Sequence, residues 1–332
     1  MIHFRTRGGP TQGWGNIHRL AAFADYCRAQ GQAPLRFLAE GPPEVAAYLR
    51  GRGFDTVALR DDLTLDEERA ILDALPRSAV TVVEMLDCHP KRQKLLRGHT
   101  DRLVVVDDLM DHRFDADLVI CGQSLPHYGN IAISHPETRF LTGYDYFIFS
   151  PAYRDYAGRT RRHREAVGEV LVAFGGGRYD VAYLKAAAAL KGFPDIRATF
   201  ILGFAAEDHL KQELAEILPG AVLLGGVEDM PERLASADLA VVSAGYLKLE
   251  AAMVGTPVVM VATQWHQMPL AEEFTRHTGT PYAGYMGFAT PETLEEAITE
   301  LLPVDRRAAL AERMRAVVDG KGIERVYGAI FA

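Results

Sequence analysis

Short runs of aliphatic and β-branched residues alternate with longer helical stretches along almost the whole chain. No other feature constrains the fold as much. A strand, a helix and a second strand in the same direction make a βαβ unit, and repeated units make a parallel sheet. In the first half, strands are expected at 2–6, 34–39, 79–85, 103–107 and 117–121. Helical patterns follow at 16–30, 43–52, 64–75 and 90–97. Pro42-Pro43 fits a helix start, where a missing N–H costs little.

Between about 150 and 168 the alternation breaks. Arg159, Arg161, Arg162, His163 and Arg164 crowd one polar stretch with no apolar period, which reads as a solvated linker. The alternation then restarts. Strands are expected at 169–174, 197–202, 222–224, 238–242 and 258–262, and the last 40 or so residues read as helices. The chain therefore divides into an N-terminal α/β domain (1–150), a linker (151–168) and a C-terminal α/β domain (169–332), both doubly wound. Its 332 residues agree with a prior of about two domains.

Composition removes several classes of function. With 36 Lys+Arg against 44 Asp+Glu the net charge is −8, which disfavours wrapping nucleic acid. No apolar run reaches the roughly 18–20 residues of a membrane span. The chain starts directly on a strand, with no apolar signal core before it. Cys27, Cys88 and Cys121 are far apart and form no CxxC pair, so neither a disulfide framework nor a cysteine metal site is expected. These features lead to the expectation of a cytoplasmic protein with reduced thiols.

Three glycine-bearing turns follow strands, where ligands of open α/β sheets sit. The first runs from Arg7 to Asn16 and contains Gly8, Gly9, Gly13 and Gly15. The second is Gly175-Gly176-Gly177, beside Arg178. This second turn matches neither GxGxxG nor the P-loop, so a dinucleotide site or a P-loop ATPase is disfavoured. The third is Ser243-Ala244-Gly245, opening a helix that carries Glu250. Amides at that helix start suit a phosphate, and a carboxylate suits a pair of hydroxyls. Glu250 precedes the apolar Ala251, Ala252 and Met253, which argues against a simply solvated face.

At this point the chain resembles a known family. The opening Gly13-Trp14-Gly15-Asn16-Ile17-His18-Arg19, the pair Asp107-Asp108, the Gly175–Gly177 turn and the Ser243-Ala244…Glu250-Ala251 segment carry the likeness. So does the closing Asp319-Gly320-Lys321-Gly322…Arg325. The second half resembles the nucleotide-binding domain of GT-B glycosyltransferases of the MurG type. The whole chain resembles the PseG/SpsG group of UDP-sugar hydrolases and their relatives.

The resemblance implies a GT-B fold: two Rossmann-like domains with a nucleotide-sugar, UDP-linked, in the cleft between them. It places the pyrophosphate at the glycine turns (Gly13, Gly15, Gly175, Gly176, Gly177, Ser243, Ala244, Gly245) and the ribose at Glu250. The uracil would lie near Gly225-Gly226-Val227 or Met230. Arg19 of the opening motif, with Gln264, His266 and Gln267, joins the substrate-binding set. Trp14 could stack on a sugar or pack on its own domain. No metal is expected, because helix N-termini can take the charge of the leaving diphosphate.

One position departs from the family pattern. PseG-type hydrolases carry histidine where this chain has Asn16, and an amide cannot act as a general base near neutral pH. His18 lies roughly 200° round the helix from it. Glu84, Asp87 and His89, at or beyond the end of the 79–85 strand, are the candidate replacements. Asn16 points first to glycosyl transfer to an acceptor of unknown identity. Hydrolysis with a relocated base and binding without turnover are the alternatives.

Overall fold

The structure, a computed structural model, describes residues 1–9, 13–86, 88–125, 134–203 and 206–331. It divides into two compact units, residues 1–150 with 321–332, and residues 151–320.

The first unit is built on a seven-stranded parallel sheet of order β3-β2-β1-β4-β5-β6-β7. Its strands are β1 (Ile2–Arg7), β2 (Leu35–Glu40), β3 (Asp55–Leu59), β4 (Ser78–Glu84), β5 (Thr100–Val106), β6 (Leu118–Cys121) and β7 (Arg139–Thr142). The connecting helices are α1 (Gly15–Ala29), α2 (Pro43–Gly51), α3 (Leu65–Asp73) and α4 (Pro90–Arg97). β1 pairs with β2 on one side and β4 on the other, so the winding reverses at β1. Ligands of such sheets bind outside the carboxyl ends of strands at that reversal.

Both faces of this sheet are buried, as parallel strands require. Phe4 of β1 stacks on Phe37 of β2 at 5.0 Å and meets Phe23 of α1 edge-on at 6.3 Å. On the other face, Arg5 is fully buried and donates to Glu40 of β2 and to Glu68 of α3, the latter at 2.7 Å. Arg92 of α4 reaches the same Glu68 at 2.8 Å, so charge is matched where it is taken from water.

The second unit holds a six-stranded parallel sheet of order β10-β9-β8-β11-β12-β13. Its strands are β8 (Glu169–Ala173), β9 (Arg197–Ile201), β10 (Val222–Leu224), β11 (Leu239–Ser243), β12 (Val258–Ala262) and β13 (Tyr282–Tyr285). A single turn, α5 (Pro151–Arg154), opens the unit. The later helices are α6 (Asp180–Leu190), α7 (Asp208–Ile217), α8 (Met230–Ser236), α9 (Leu247–Val254), α10 (Gln267–Thr278), α11 (Pro291–Glu300) and α12 (Val304–Ala316). Here the winding reverses at β8, between β9 and β11.

Two boundaries differ from the sequence reading. The stretch 151–168 is not a separate linker but part of the second unit. Arg161 donates to Leu234 O, Ala237 O and Thr256 Oγ1, while Arg164 pairs with Asp238 at 3.3 Å. Arg307 of α12 is fully buried and donates to the carbonyls of Arg164 and Glu165. Burial and the surrounding guanidiniums push the pKa of His163 down to about 4. Arg161 and Arg307 are fasteners onto backbone carbonyls, Arg164 pairs with a carboxylate, and Arg162 is exposed.

The second difference is α13 (Gly322–Phe331), which belongs to the first unit. Ile323, Val326 and Ile330 enter the same apolar core as Phe4 and Phe23. Arg102 of β5 donates to the carbonyls of Ala329 and Ile330 near the helix end. A side chain at Gly322 would overlap the Phe147 carbonyl, which gives that glycine a packing reason. Among the described residues no helix is long and apolar enough to cross a membrane.

Candidate functional site

In the first unit the carboxyl ends of β1, β4 and β5 converge on one charged cluster. Beyond β1, the backbone amides and carbonyls of Gly9 and Gly13 pair with each other. Gly13 has φ +77°, a left-handed conformation that glycine adopts without strain. α1 then starts at Gly15, which sets Asn16, 9% exposed, in its first turn. One turn further on, Arg19 is buried. Its guanidinium donates to Glu84 Oε1 from Nε at 2.8 Å and reaches Asp108 Oδ2 at 2.8 Å from a second nitrogen. It also lies 5.6 Å from the Phe147 ring centroid.

Two of the expected site residues, Arg19 and Glu84, meet in this cluster. Arg19 holds two carboxylates of its own unit, at the ends of β4 and β5, and so organises the start of α1. Glu84, 2% exposed, is bound by that arginine, which disfavours it as the base that takes a proton from water. The neighbouring Asp107 accepts from Leu109 N at 2.9 Å and Met110 N at 2.7 Å and shapes the turn after β5. Burial raises the Asp107 carboxyl above its usual range, against those bonds.

The other expected residues of this unit are scattered. His89 is exposed at the start of α4, its ring edge-on to His112 at 5.2 Å. Asp87 lies outside the described residues. Trp14 packs on its own unit, edge-on to Tyr48 at 5.9 Å and tilted against His18 at 5.8 Å. Burial, and then Arg52, lower the pKa of the His18 imidazole.

In the second unit the three turns after β8, β11 and β12 lie side by side, because those strands are neighbours. Gly175 has φ +94°. Gly203, beyond β9, presses on the same turn: a Cβ there would overlap Gly175 O and fall 3.0 Å from Gly177 O. Gln264 Nε2, beyond β12, donates to the Tyr179 hydroxyl, beyond β8, at 2.9 Å. That bond ties together the turns on either side of β11.

Between them lies Ser243-Ala244-Gly245. Gln267 Oε1 accepts from Thr263 N at 2.9 Å and Thr263 Oγ1 at 3.1 Å, so its oxygen braces the turn after β12. Its Nε2 would be 3.4 Å from a Cβ at Gly245. His266 immediately precedes α10 and makes no side-chain capping bond to it, and Trp265 beside it is 59% exposed, stacked on Tyr285 at 4.1 Å. Glu250 of α9 is partly buried and accepts from the Tyr153 hydroxyl at 3.0 Å. Burial pushes the pKa of its carboxyl up to about 7, opposed by that hydrogen bond. The expected uracil segment follows β10 as an exposed turn, with Met230 opening α8.

Tyr153 and Lys248 escaped the sequence reading. Tyr153 lies in the stretch read as linker. Lys248 is fully buried, and its only sequence signal is a charge set among apolar helix neighbours.

Two Rossmann-like parallel-sheet units, each reversing its winding at its first strand, define the GT-B fold class. Solved structures of that kind match the chain along its length. Acinetobacter baumannii MurG is 15% identical, with 99% of each chain covered and a TM-score of 0.68. A putative UDP-N-acetylglucosamine 2-epimerase from Listeria monocytogenes is 14% identical over 99% of this chain and 95% of its own, with a TM-score of 0.65. Anabaena Alr3699/HepE, solved in complex with UDP and glucose, is 14% identical over 98% of each chain, with a TM-score of 0.63. At these identities the likeness establishes the fold. No protein-family model and no curated protein matches the chain.

Proposed function

We propose that the chain is a GT-B glycosyltransferase that takes a sugar from a UDP-sugar and passes it to an acceptor in surface-glycan or nonulosonic acid metabolism. The observation that carries the reading is the second unit's row of turns after β8, β11 and β12, with Glu250 set one turn into α9 and aligned by Tyr153. Such a row offers amide N–H groups to a diphosphate and a carboxylate to the ribose hydroxyls. Anabaena Alr3699/HepE, of the same fold, was solved with UDP and glucose, which supports a UDP-linked donor.

The diphosphate would leave against helix N-termini, a form of charge stabilisation that calls for no metal. The first unit would serve the acceptor. Transfer is preferred over PseG-like hydrolysis because Asn16 supplies no base and Glu84 is held by Arg19. Three buried free thiols suit a reducing cytoplasm.

The test is incubation with a panel of UDP-sugars, with and without an acceptor extract, reading UDP release. Release that depends on the extract is the expected result. Fast release without acceptor would establish hydrolysis instead, and binding without release would indicate a sensor.

A further inference from the structure

The turn after β11 conceals a cation that the roles above leave unused. Lys248, in the first turn of α9, is 0% exposed. Its Nζ donates to Ala244 O at 2.7 Å and Gly245 O at 3.0 Å, and lies 5.8 Å from the Phe274 ring centroid. Taking an ammonium out of water is costly unless its protons are bonded. An apolar side chain of equal length would fill the same space without that cost.

Those two bonds fix more than the lysine. In a trans peptide the N–H points opposite to the C=O. The Ala244 carbonyl shares its peptide group with the Gly245 N–H, and the Gly245 carbonyl shares its own with the Tyr246 N–H. Both carbonyls turn inward to Lys248. Both N–H groups therefore point away from it, at the carboxyl end of β11 where α9 begins. Gly245 keeps the approach to them clear of any side chain of its own.

We propose that Lys248 is a positioning residue for the donor's diphosphate, holding the Ala244 and Gly245 carbonyls behind the turn so that the Gly245 and Tyr246 amides face the phosphates. The inference rests on the donor reading above. The buried charge adds to the positive end of the α9 dipole, so it acts on a multiply charged anion far more than on a neutral nucleoside. Recognition of the diphosphate by backbone, with the cation behind it, follows from this arrangement.

Titration calorimetry of the full chain with UDP and with uridine tests the role. Lys248→Gln keeps a donor without the charge, and Lys248→Met keeps only the shape. Thermal melting checks that each variant is folded. UDP affinity is expected to fall about tenfold in both, with uridine affinity changed less than about twofold. Equal losses for the two ligands, or no loss for UDP, would overturn the role. Wild type that fails to bind UDP removes the donor reading itself, and this inference with it. A wild-type measurement covers the case in which neither variant folds. UDP should move the Gly245 amide resonance of the 15N-labelled chain and uridine should leave it in place. A Gly245 resonance unmoved by UDP overturns the proposal.

Discussion

The Tyr153 hydroxyl donates a 3.0 Å hydrogen bond to Glu250 Oε2, and so joins the opening turn of the second unit to the helix that starts beyond β11. Burial carries the pKa of the Glu250 carboxyl from its ordinary 4.5 up to about 7. The unfolded chain then ionises this group at lower pH than the folded one does. Its contribution to stability is complete at acid pH, declines as pH rises from about 4.5 to 7, and stays at its lowest above that. Glu250→Gln removes the titration and keeps an acceptor for Tyr153. The variant should match wild type near pH 4 and exceed it by about 2 kcal/mol at pH 8, allowing for the partial exposure of the group. Melting curves at the two pH values check this; an equal offset at both would mean that burial of the charge is not the cause.

Truncation of the same carboxylate probes the donor. Glu250→Ala should weaken UDP binding by about 1–3 kcal/mol, the cost of leaving hydroxyl partners unpaired. Uridine should lose as much as UDP, because the ribose is common to both. A folded variant with unchanged affinity by calorimetry would remove Glu250 from the site.

Arg161 differs from its neighbour Arg162 in what it holds. Its guanidinium binds two backbone carbonyls and the Thr256 hydroxyl. Arg161→Ala should cost about 2–4 kcal/mol in urea denaturation, since these partly buried acceptors lose their donor. Arg162→Ala should stay within about 0.5 kcal/mol. Similar effects from the two would return the stretch to the status of a loose tether.

Arg19 stands between Glu84 and Asp108. Arg19→Met should destabilise by about 3–5 kcal/mol at neutral pH, because it strands two buried carboxylates. Chemical denaturation reads this, and a loss within about 0.5 kcal/mol, the range of a surface substitution, would mean that the pair is not holding the start of α1.

Asn16 occupies the first turn of α1, at the end of β1. If the chain lacks a base for water, Asn16→His should raise acceptor-free UDP-sugar hydrolysis over a near-zero background. A well-placed base contributes about 10²–10⁴-fold. The gain should titrate around pH 6.5, where an unperturbed imidazole changes charge. UDP release by wild type and variant across pH decides it. Fast hydrolysis already present in wild type would show that another group serves as base.

The central strands were legible because burial on both faces leaves continuous apolar runs, as in Leu103, Val104, Val105 and Val106 of β5. The strands missed are β3, β7 and β13, all at sheet edges. An edge strand is half solvated, so Asp55–Leu59 mixes exposed and covered residues and carries no such run. The glycine turns were legible from their unusual composition. Their bracing was not, because the Gln264–Tyr179 bond joins residues 85 positions apart. Arg161 and Arg162 look alike in sequence, and only the fold distinguishes a fastener from a solvated charge. The amphipathic Ile323, Val326 and Ile330 announce a helix but not which core receives it.

The placement of α13 has a consequence for how the chain can be made. Ile323, Val326 and Ile330 complete a core whose other members lie within residues 2–148. A ribosome therefore finishes the whole second unit before it delivers the last piece of the first. During that interval the earlier sheet waits with an open apolar seam along α1, and the later unit can close first. Birth order and order of completion are reversed, and cutting the chain after residue 320 would leave the older half unfinished for good.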